Sequence, residues 1–394
     1  MPPGSALDAY RELLRSLDRL LPGTLAEPAR GAAPPPRTAA ALVRAAGELA
    51  RDLPEELGPG RLRFLRAQLT AVEWTARRLA GQGLRFPDEV RLTYDARIAP
   101  GDEEVYRRAH AALDAILPGP GDLADRLRAH RSRDVVPRAA LGPAVQAVSD
   151  ALRARTREVV PLPGDEHVEY RVVDDAPWAA LHTHLGGHRS RIAVNAGARP
   201  RWGQLVPLVA HEAYPGHHTE RCRSTAAGRP EQEAVLVTSP QSLVAEGAAE
   251  LGLEAVAAGG WERLAPGLPF DAATAERVHA ARAPLLRARQ DAALLLHAHG
   301  PGAALAHLRR WWLVDEARAR QVLRFLCHPL WRGYTTTYVE GHELVRRWWA
   351  ADPGPERFLR LLDEPWTPAA LRQDLLPPPP GNGRRQAMNG RPSC

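Results

Sequence analysis

Lysine is absent from these 394 residues, so arginine supplies all 52 basic charges against 46 acidic ones. A nucleic-acid groove concentrates its basic residues in a stripe. Here arginine is spread over every predicted helix without an accompanying run of aromatics, which make up only 6% of the chain. The expectation is therefore no nucleic-acid partner. Cysteine is scarce too. Cys222, Cys327 and Cys394 are odd in number, far apart and form no CxxC pair, which argues against a disulfide framework and against a cysteine zinc site. That usage fits a reducing cytoplasm. No stretch reaches the ~18 uninterrupted apolar residues of a membrane span. Residues 1–8 have neither a basic start nor an apolar run, so they do not read as a signal peptide. These absences lead to the expectation of a cytoplasmic protein with no membrane partner.

What is present is a helical chain with enough apolar content, 44%, to bury a sizeable core. Tyr10, Leu13, Leu14, Leu17, Leu20 and Leu21 recur at helical spacing, and Leu62, Leu65, Leu69, Val72, Ala76 and Leu79 form a second stripe. Helices are predicted at about 102–117, 121–132 and 137–158, making residues 1–160 an N-terminal helical lobe. The character changes at Pro161-Leu162-Pro163-Gly164. Val168, Tyr170 and Val172 alternate as in a strand, and a second strand is predicted over 189–195. Further helices follow at about 240–258, 271–299, 301–328 and 335–350. Residues 161–375 are the expected catalytic region, and 376–394, rich in Pro and Gly, the expected disordered tail.

The chemistry lies in His211-Glu212-Ala213-Tyr214-Pro215-Gly216-His217-His218. A zinc site needs neutral imidazoles or carboxylates in a roughly tetrahedral cage. A zinc hydrolase also needs a carboxylate that stays off the metal to take a proton from water. In HExxH the two histidines lie four apart on one helical face. Here Pro215 stands at that position, and His217 lies about 240° around an ideal helix from His211 at ~100° per residue. Pro215 and Gly216 allow the helix to distort. If Tyr214-Pro215 bulges outward, the remainder reads His-Glu-Ala-Gly-His, an HExxH with a two-residue insertion. This favours His217 over His218 as the second ligand. Strand 189–195 is of the kind that zinc peptidases run past the metal as an edge for extended substrate, with Asn195 a candidate for holding its backbone. Downstream, Glu246 and Glu250 share a helical face; either is a candidate third ligand. Tyr334 and Tyr338, one turn apart beside Arg332, are candidate oxyanion donors, with Arg332 a candidate substrate contact. His182-Thr183-His184 is a rival metal motif that reads better as a polar loop. Trp311-Trp312 and Trp348-Trp349 read as core or interface anchors.

The segment His211–His218 resembles the HExxPGHH motif of a bacterial family known as domain of unknown function 885. Leu185–Arg191 with Val194-Asn195 is similar to that family's preceding strand, Glu246-Gly247 to its Glu-Gly-Trp element, and Tyr338-Val339-Glu340-Gly341 to its Tyr-x-x-Gly region. The resemblance covers about residues 160–350. It implies a mainly helical body like thermolysin-like metallopeptidases, distantly similar to carboxypeptidase Taq, with a short antiparallel sheet beside the metal helix. It also implies Glu246 as third ligand and Tyr338 as donor. Ala248 departs from the family's Trp.

The resulting expectation is a mainly α zinc-dependent hydrolase acting on a peptide or small amide. His211, His217 and Glu246 hold Zn, with Glu212 and Tyr338 catalytic. Two alternatives stay open: a non-peptidase hydrolase of small amides or esters, and an inactive helical interaction module.

Overall fold

The computed structural model describes residues 2–26, 35–176, 178–257 and 260–376. The tail predicted over 376–394 lies, apart from Leu376, outside these residues. The fold is mainly α, as expected. In chain order the helices are α1 (Pro3–Leu20), α2 (Ala39–Arg51), α3 (Gly58–Leu79), α4 (Phe86–Tyr94), α5 (Glu103–Ile116), α6 (Leu123–Arg133) and α7 (Arg138–Val159). Strands β1 (His167–Val173), β2 (Ala180–Gly186) and β3 (Arg189–Asn195) follow. The second helical run comprises α8 (Trp202–Glu212), α9 (His217–Ala226), α10 (Pro240–Val256), α11 (Ala272–Arg282), α12 (Arg287–His299), α13 (Pro301–Trp311), α14 (Glu316–Cys327), α15 (His342–Ala350), α16 (Pro355–Asp363) and α17 (Pro368–Asp374).

Local chemistry sets many of these boundaries. Thr38, Asp102, Asp122, Ser239, Asp271, Asp315 and Thr367 each accept a backbone N–H at a helix start, satisfying donors that a helix otherwise leaves unpaired. The apolar stripes bury as their spacing predicts. Tyr10, Leu13, Leu14 and Leu17 of α1 pack with Leu65, Leu69, Val72 and Ala76 of α3 in one core. Each such leucine stabilises the fold by about 1.5–3 kcal/mol relative to an exposed one.

The predicted helix over 271–299 is interrupted by a tighter turn at Ala283–Leu286, where Pro284 cannot donate an N–H. That over 301–328 breaks between Trp311 and Glu316, where Asp315 caps a new helix. That over 335–350 begins with a π-helical turn at Thr337–Gly341, a wide winding often found at functional sites.

The sheet corrects two expectations. Its order is β1-β3-β2, with β1 parallel and β2 antiparallel to β3, so it is mixed rather than antiparallel. Strand 189–195 is therefore central, and the edge beside the metal helix is β2, whose His182-Thr183-His184 had read as a loop. A glycine pair at positive φ, Gly186 and Gly187, makes the tight turn between β2 and β3. Ile192 and Val194 of β3 pack with α7 and α8, which fixes the sheet against the helix that carries the metal motif.

Candidate metal centre

The distortion at Pro215 takes a definite form. The regular ladder of α8 ends with Ala213 N–H to Val209 O at 2.8 Å. The next bond is Gly216 N–H to Ala210 O, also 2.8 Å. The step has grown from four residues to six, so two residues are looped out and the helix resumes. A Cβ at position 216 would sit 1.8 Å from His211 O and 2.5 Å from Ala210 O, so only glycine fits this closure. The loop does not project towards solvent. Tyr214 is buried and donates to Glu166 Oε2 at 2.5 Å, and Pro215 packs on Gly252 of α10. The Tyr214–Pro215 peptide is cis.

The collapsed helix brings His211 and His217 together, ring centroids 4.7 Å apart and nearly perpendicular. Glu246 reaches them from α10. His211 Nε2 lies 3.2 Å from Glu246 Oε2, and His217 Nε2 lies 3.4 Å from Glu246 Oε1. An ion held tetrahedrally by bonds of about 2.0–2.2 Å separates its donor atoms by roughly 3.3–3.6 Å, so both contacts match donors sharing one cation. Glu246 Oε2 is buried and accepts no hydrogen bond, an expensive condition unless a cation completes it. The far nitrogens face carboxylates: His211 Nδ1 is 3.3 Å from Glu250, and His217 Nδ1 is 3.7 Å from Glu220. A carboxylate on the distal nitrogen orients a ligand imidazole. Tyr334 donates to Glu246 Oε1 at 2.6 Å.

The electrostatics favour positive charge here. Burial opposes protonation of both histidines, yet Glu246 and Glu250 raise His211 well above its usual value, and Glu246 with Glu220 pushes His217 up to about 9. Burial would raise Glu246, but His217 and His211 hold it below the usual carboxylate range. These donors thus fit a cation bound by two imidazoles and a carboxylate. Among the described residues, His211, His217 and Glu246 are the group whose ligand atoms meet this closely, all within 4.8 Å.

Glu212 follows His211 at the end of α8. Burial raises its pKa against the pull of His211 and His217, and the His182 backbone on β2 helps hold the carboxylate. Tyr338, in the π-helical turn, places its ring 6.1 Å from that of His211, and its hydroxyl has no hydrogen-bond partner among the described residues. His218, next in sequence to His217, turns the other way. It is fully buried, with Nδ1 2.8 Å from Ser190 Oγ and Nε2 3.1 Å from Glu166 Oε2.

Other assignments need correction. Asn195 is 3% exposed and cannot hold substrate. Its amide donates to the carbonyls of Ala176 and Trp178 at 2.8 and 2.9 Å, and its Oδ1 accepts Gly197 N–H. It ties down the loop before β2. Arg332 points to α4 instead, 3.4 Å from Glu89 and over the Phe86 ring. Gly247 faces the π-helical turn. A Cβ there would meet Gly341 O at 2.4 Å, so this glycine admits the π-helical turn, and Gly252 admits the metal helix. Glu166, Ser190 and Glu220 carried no sequence signal, because each is an ordinary polar residue in a turn, strand or helix.

No family model matches the chain, and no curated protein matches it. Solved structures share its fold, among them the following two. One is described as "the putative lipoprotein from Colwellia psychrerythraea", with TM-score 0.56 and 15% identity over 92% of this chain and 68% of that one. The other, "a putative lipoprotein of unknown function from Shewanella oneidensis", gives 0.54 and 13% over 85% and 72%. These findings overturn the resemblance to the 885 family and, through it, to thermolysin-like peptidases and carboxypeptidase Taq; at these identities the likeness speaks for fold alone. They also overturn the cytoplasmic expectation, because both neighbours are described as lipoproteins. No helix among the described residues is long and apolar enough to cross a membrane.

Proposed function

We propose that this protein is a zinc-dependent hydrolase that cleaves peptide or amide bonds. The observation that carries the reading is the Glu246 carboxylate, whose buried Oε2 accepts no hydrogen bond and lies 3.2 Å from His211 Nε2 while its Oε1 lies 3.4 Å from His217 Nε2. His211, His217 and Glu246 hold the ion, with Glu250 and Glu220 aiming the two imidazoles. Bound zinc would supply Lewis acidity and lower the pKa of a water towards about 7. Glu212 takes the proton of the attacking water and later passes it to the leaving amine. Tyr338, with its hydroxyl uncommitted, donates to the oxyanion that forms at the carbonyl. Metal binding alone has no use for Glu212, so its place beside the ligands favours a hydrolase over an inactive interaction module.

The test separates binding from turnover. Glu212→Gln keeps shape but cannot act as base. Zinc, measured by inductively coupled plasma mass spectrometry, should stay at about one per chain, while cleavage of a peptide library falls on the order of 10²–10⁴-fold. Loss of zinc in this variant would make Glu212 a ligand. Wild-type protein purified without chelator and unable to take up zinc would sink the proposal. Cleavage confined to small amides or esters would narrow it to a non-peptidase hydrolase.

A further inference from the structure

Five arginines that look scattered in the sequence meet in the fold. Arg131 comes from α6, Arg201 from the start of α8, Arg282 from the end of α11, Arg289 from α12 and Arg318 from α14. Trp312 gathers two of them, with the Arg282 guanidinium 5.1 Å and that of Arg289 5.9 Å from its ring centre. Arg289 also lies 5.9 Å from the Phe325 ring.

These charges lack direct ion pairs. Among the described residues, none of the five forms an ion pair, although most other arginine side chains on the surface do. Arg201 and Arg318 reach only the neutral amides of Gln204 and Gln321. The Nε atoms of Arg131, Arg282 and Arg289 are shut from solvent without a hydrogen-bond partner. Asp134 and Asp315 are near enough to support Arg201, Arg131 and Arg318 electrostatically, but their bonds go to the N–H groups of Gly203 and Arg318 at helix starts. The crowding is felt. Burial lowers the pKa of Arg282, and Arg131, Arg201 and Arg318 lower it further; burial and the same neighbours lower Arg131.

The arginines are strung out, and one end reaches the proposed site. Arg289 is the member within electrostatic reach of Tyr338. Its helix is bound to the π-helical turn through Gln290 and Arg287, which donate to Glu340 at 2.7 and 3.0 Å. The other end lies by Arg201, ten residues before His211 along α8, or about 15 Å at ~1.5 Å per residue. Four to five extended peptide residues span about that length at ~3.3–3.6 Å each.

We propose that this arginine cluster binds the acidic flank of a peptide substrate, its carboxylates lying up to four or five residues from the bond addressed by the metal centre. This rests on the hydrolase reading for the position of that bond, but the binding itself does not. Guanidinium groups pair carboxylates through parallel hydrogen bonds, and such an acid would supply the ion pairs that the five lack. Single-stranded nucleic acid is a poorer occupant, because it binds by stacking bases on aromatic faces, and Trp312 and Phe325 already carry arginine.

The test is fluorescence anisotropy with labelled hexaglutamate, hexaglutamine and hexathymidylate on chelator-treated full-length protein, so that no turnover is needed. Hexaglutamate should bind at least about ten-fold tighter than hexaglutamine, weakening as salt rises. Arg282→Gln and Arg131→Gln should each lose about ten-fold, the size expected for a hydrogen bond to a charged group. Melting temperature separates this from a structural role: relieving like-charge crowding should leave it unchanged or raise it, whereas a drop in both variants would make the arginines structural and overturn the inference. Equal binding of the two peptides, or tighter binding of hexathymidylate, would also overturn it. Failure to cleave any peptide while hexaglutamate binding persists would strike the hydrolase reading alone.

Discussion

His217 and His218 are neighbours in the chain and belong to two regions made of the same residue types in opposite conditions. Around His218 every acceptor is filled. Glu166 receives Arg153 and Arg157 on one oxygen and Tyr214 and His218 on the other. Around His217 the carboxylate of Glu246 takes one hydrogen bond, from Tyr334, and leaves an oxygen bare. The first arrangement is complete and holds the fold. The second is incomplete, and its donors converge on a point a cation could occupy. Completion marks the structural histidine and incompleteness the candidate ligand, a distinction that burial or sequence position does not draw.

The sharpest way to break the comparison is to remove a ligand. His211→Ala or Glu246→Ala should abolish tight zinc uptake, a loss beyond the 10–100-fold that follows removal of an orienting partner. Equilibrium dialysis followed by metal analysis reads it, and Glu246→Ala that stays fully loaded would move the third ligand to Glu250.

The next effect falls on the closed region. Glu166→Ala should cost about 3 kcal/mol of folding stability by urea titration and leave zinc uptake intact. That is the lower end of the range for breaking a buried pair, since Arg153 and Arg157 are still 41% and 39% exposed. There is a pH signature as well. Burial would raise the Glu166 carboxyl, but bonds from His218, Tyr214, Arg157 and Arg153 hold it far below its usual value. A depressed carboxyl contributes stability that is full above the unfolded value and fades as pH falls below it. The gap between wild type and Glu166→Gln should therefore narrow from about pH 5 to about pH 3; a gap that widens would contradict the assignment. The smallest effect belongs to the orienting acid: Glu250→Gln should weaken zinc binding by about 10–100-fold with unchanged melting of the metal-free chain.

Much of the open region was legible and little of the closed one. The motif is written in consecutive residues, so the two-residue insertion could be read at Tyr214-Pro215 and the meeting of His211 and His217 inferred. The helical stripes of α1 and α3 were equally plain, because burial on one face repeats in the sequence. Glu166, Ser190 and His218 meet through three separate elements, and no local pattern records such a meeting. The same limit hid the arginine cluster. Strand 189–195 was misplaced at the edge because alternation tells which face is buried, not how many neighbours a strand has. Asn195 misled because a polar residue at a strand end reads alike whether it caps a turn or meets a ligand.

Gly216 has an implication for how this protein can vary. At most positions around the site a substitution degrades the geometry by degrees, so intermediates survive and drift is gradual. At 216 the carbonyls of Ala210 and His211 occupy the volume any side chain would need. A saturation library at this codon should therefore split in two, with glycine alone competent and every other residue indistinguishable from a deletion of the motif.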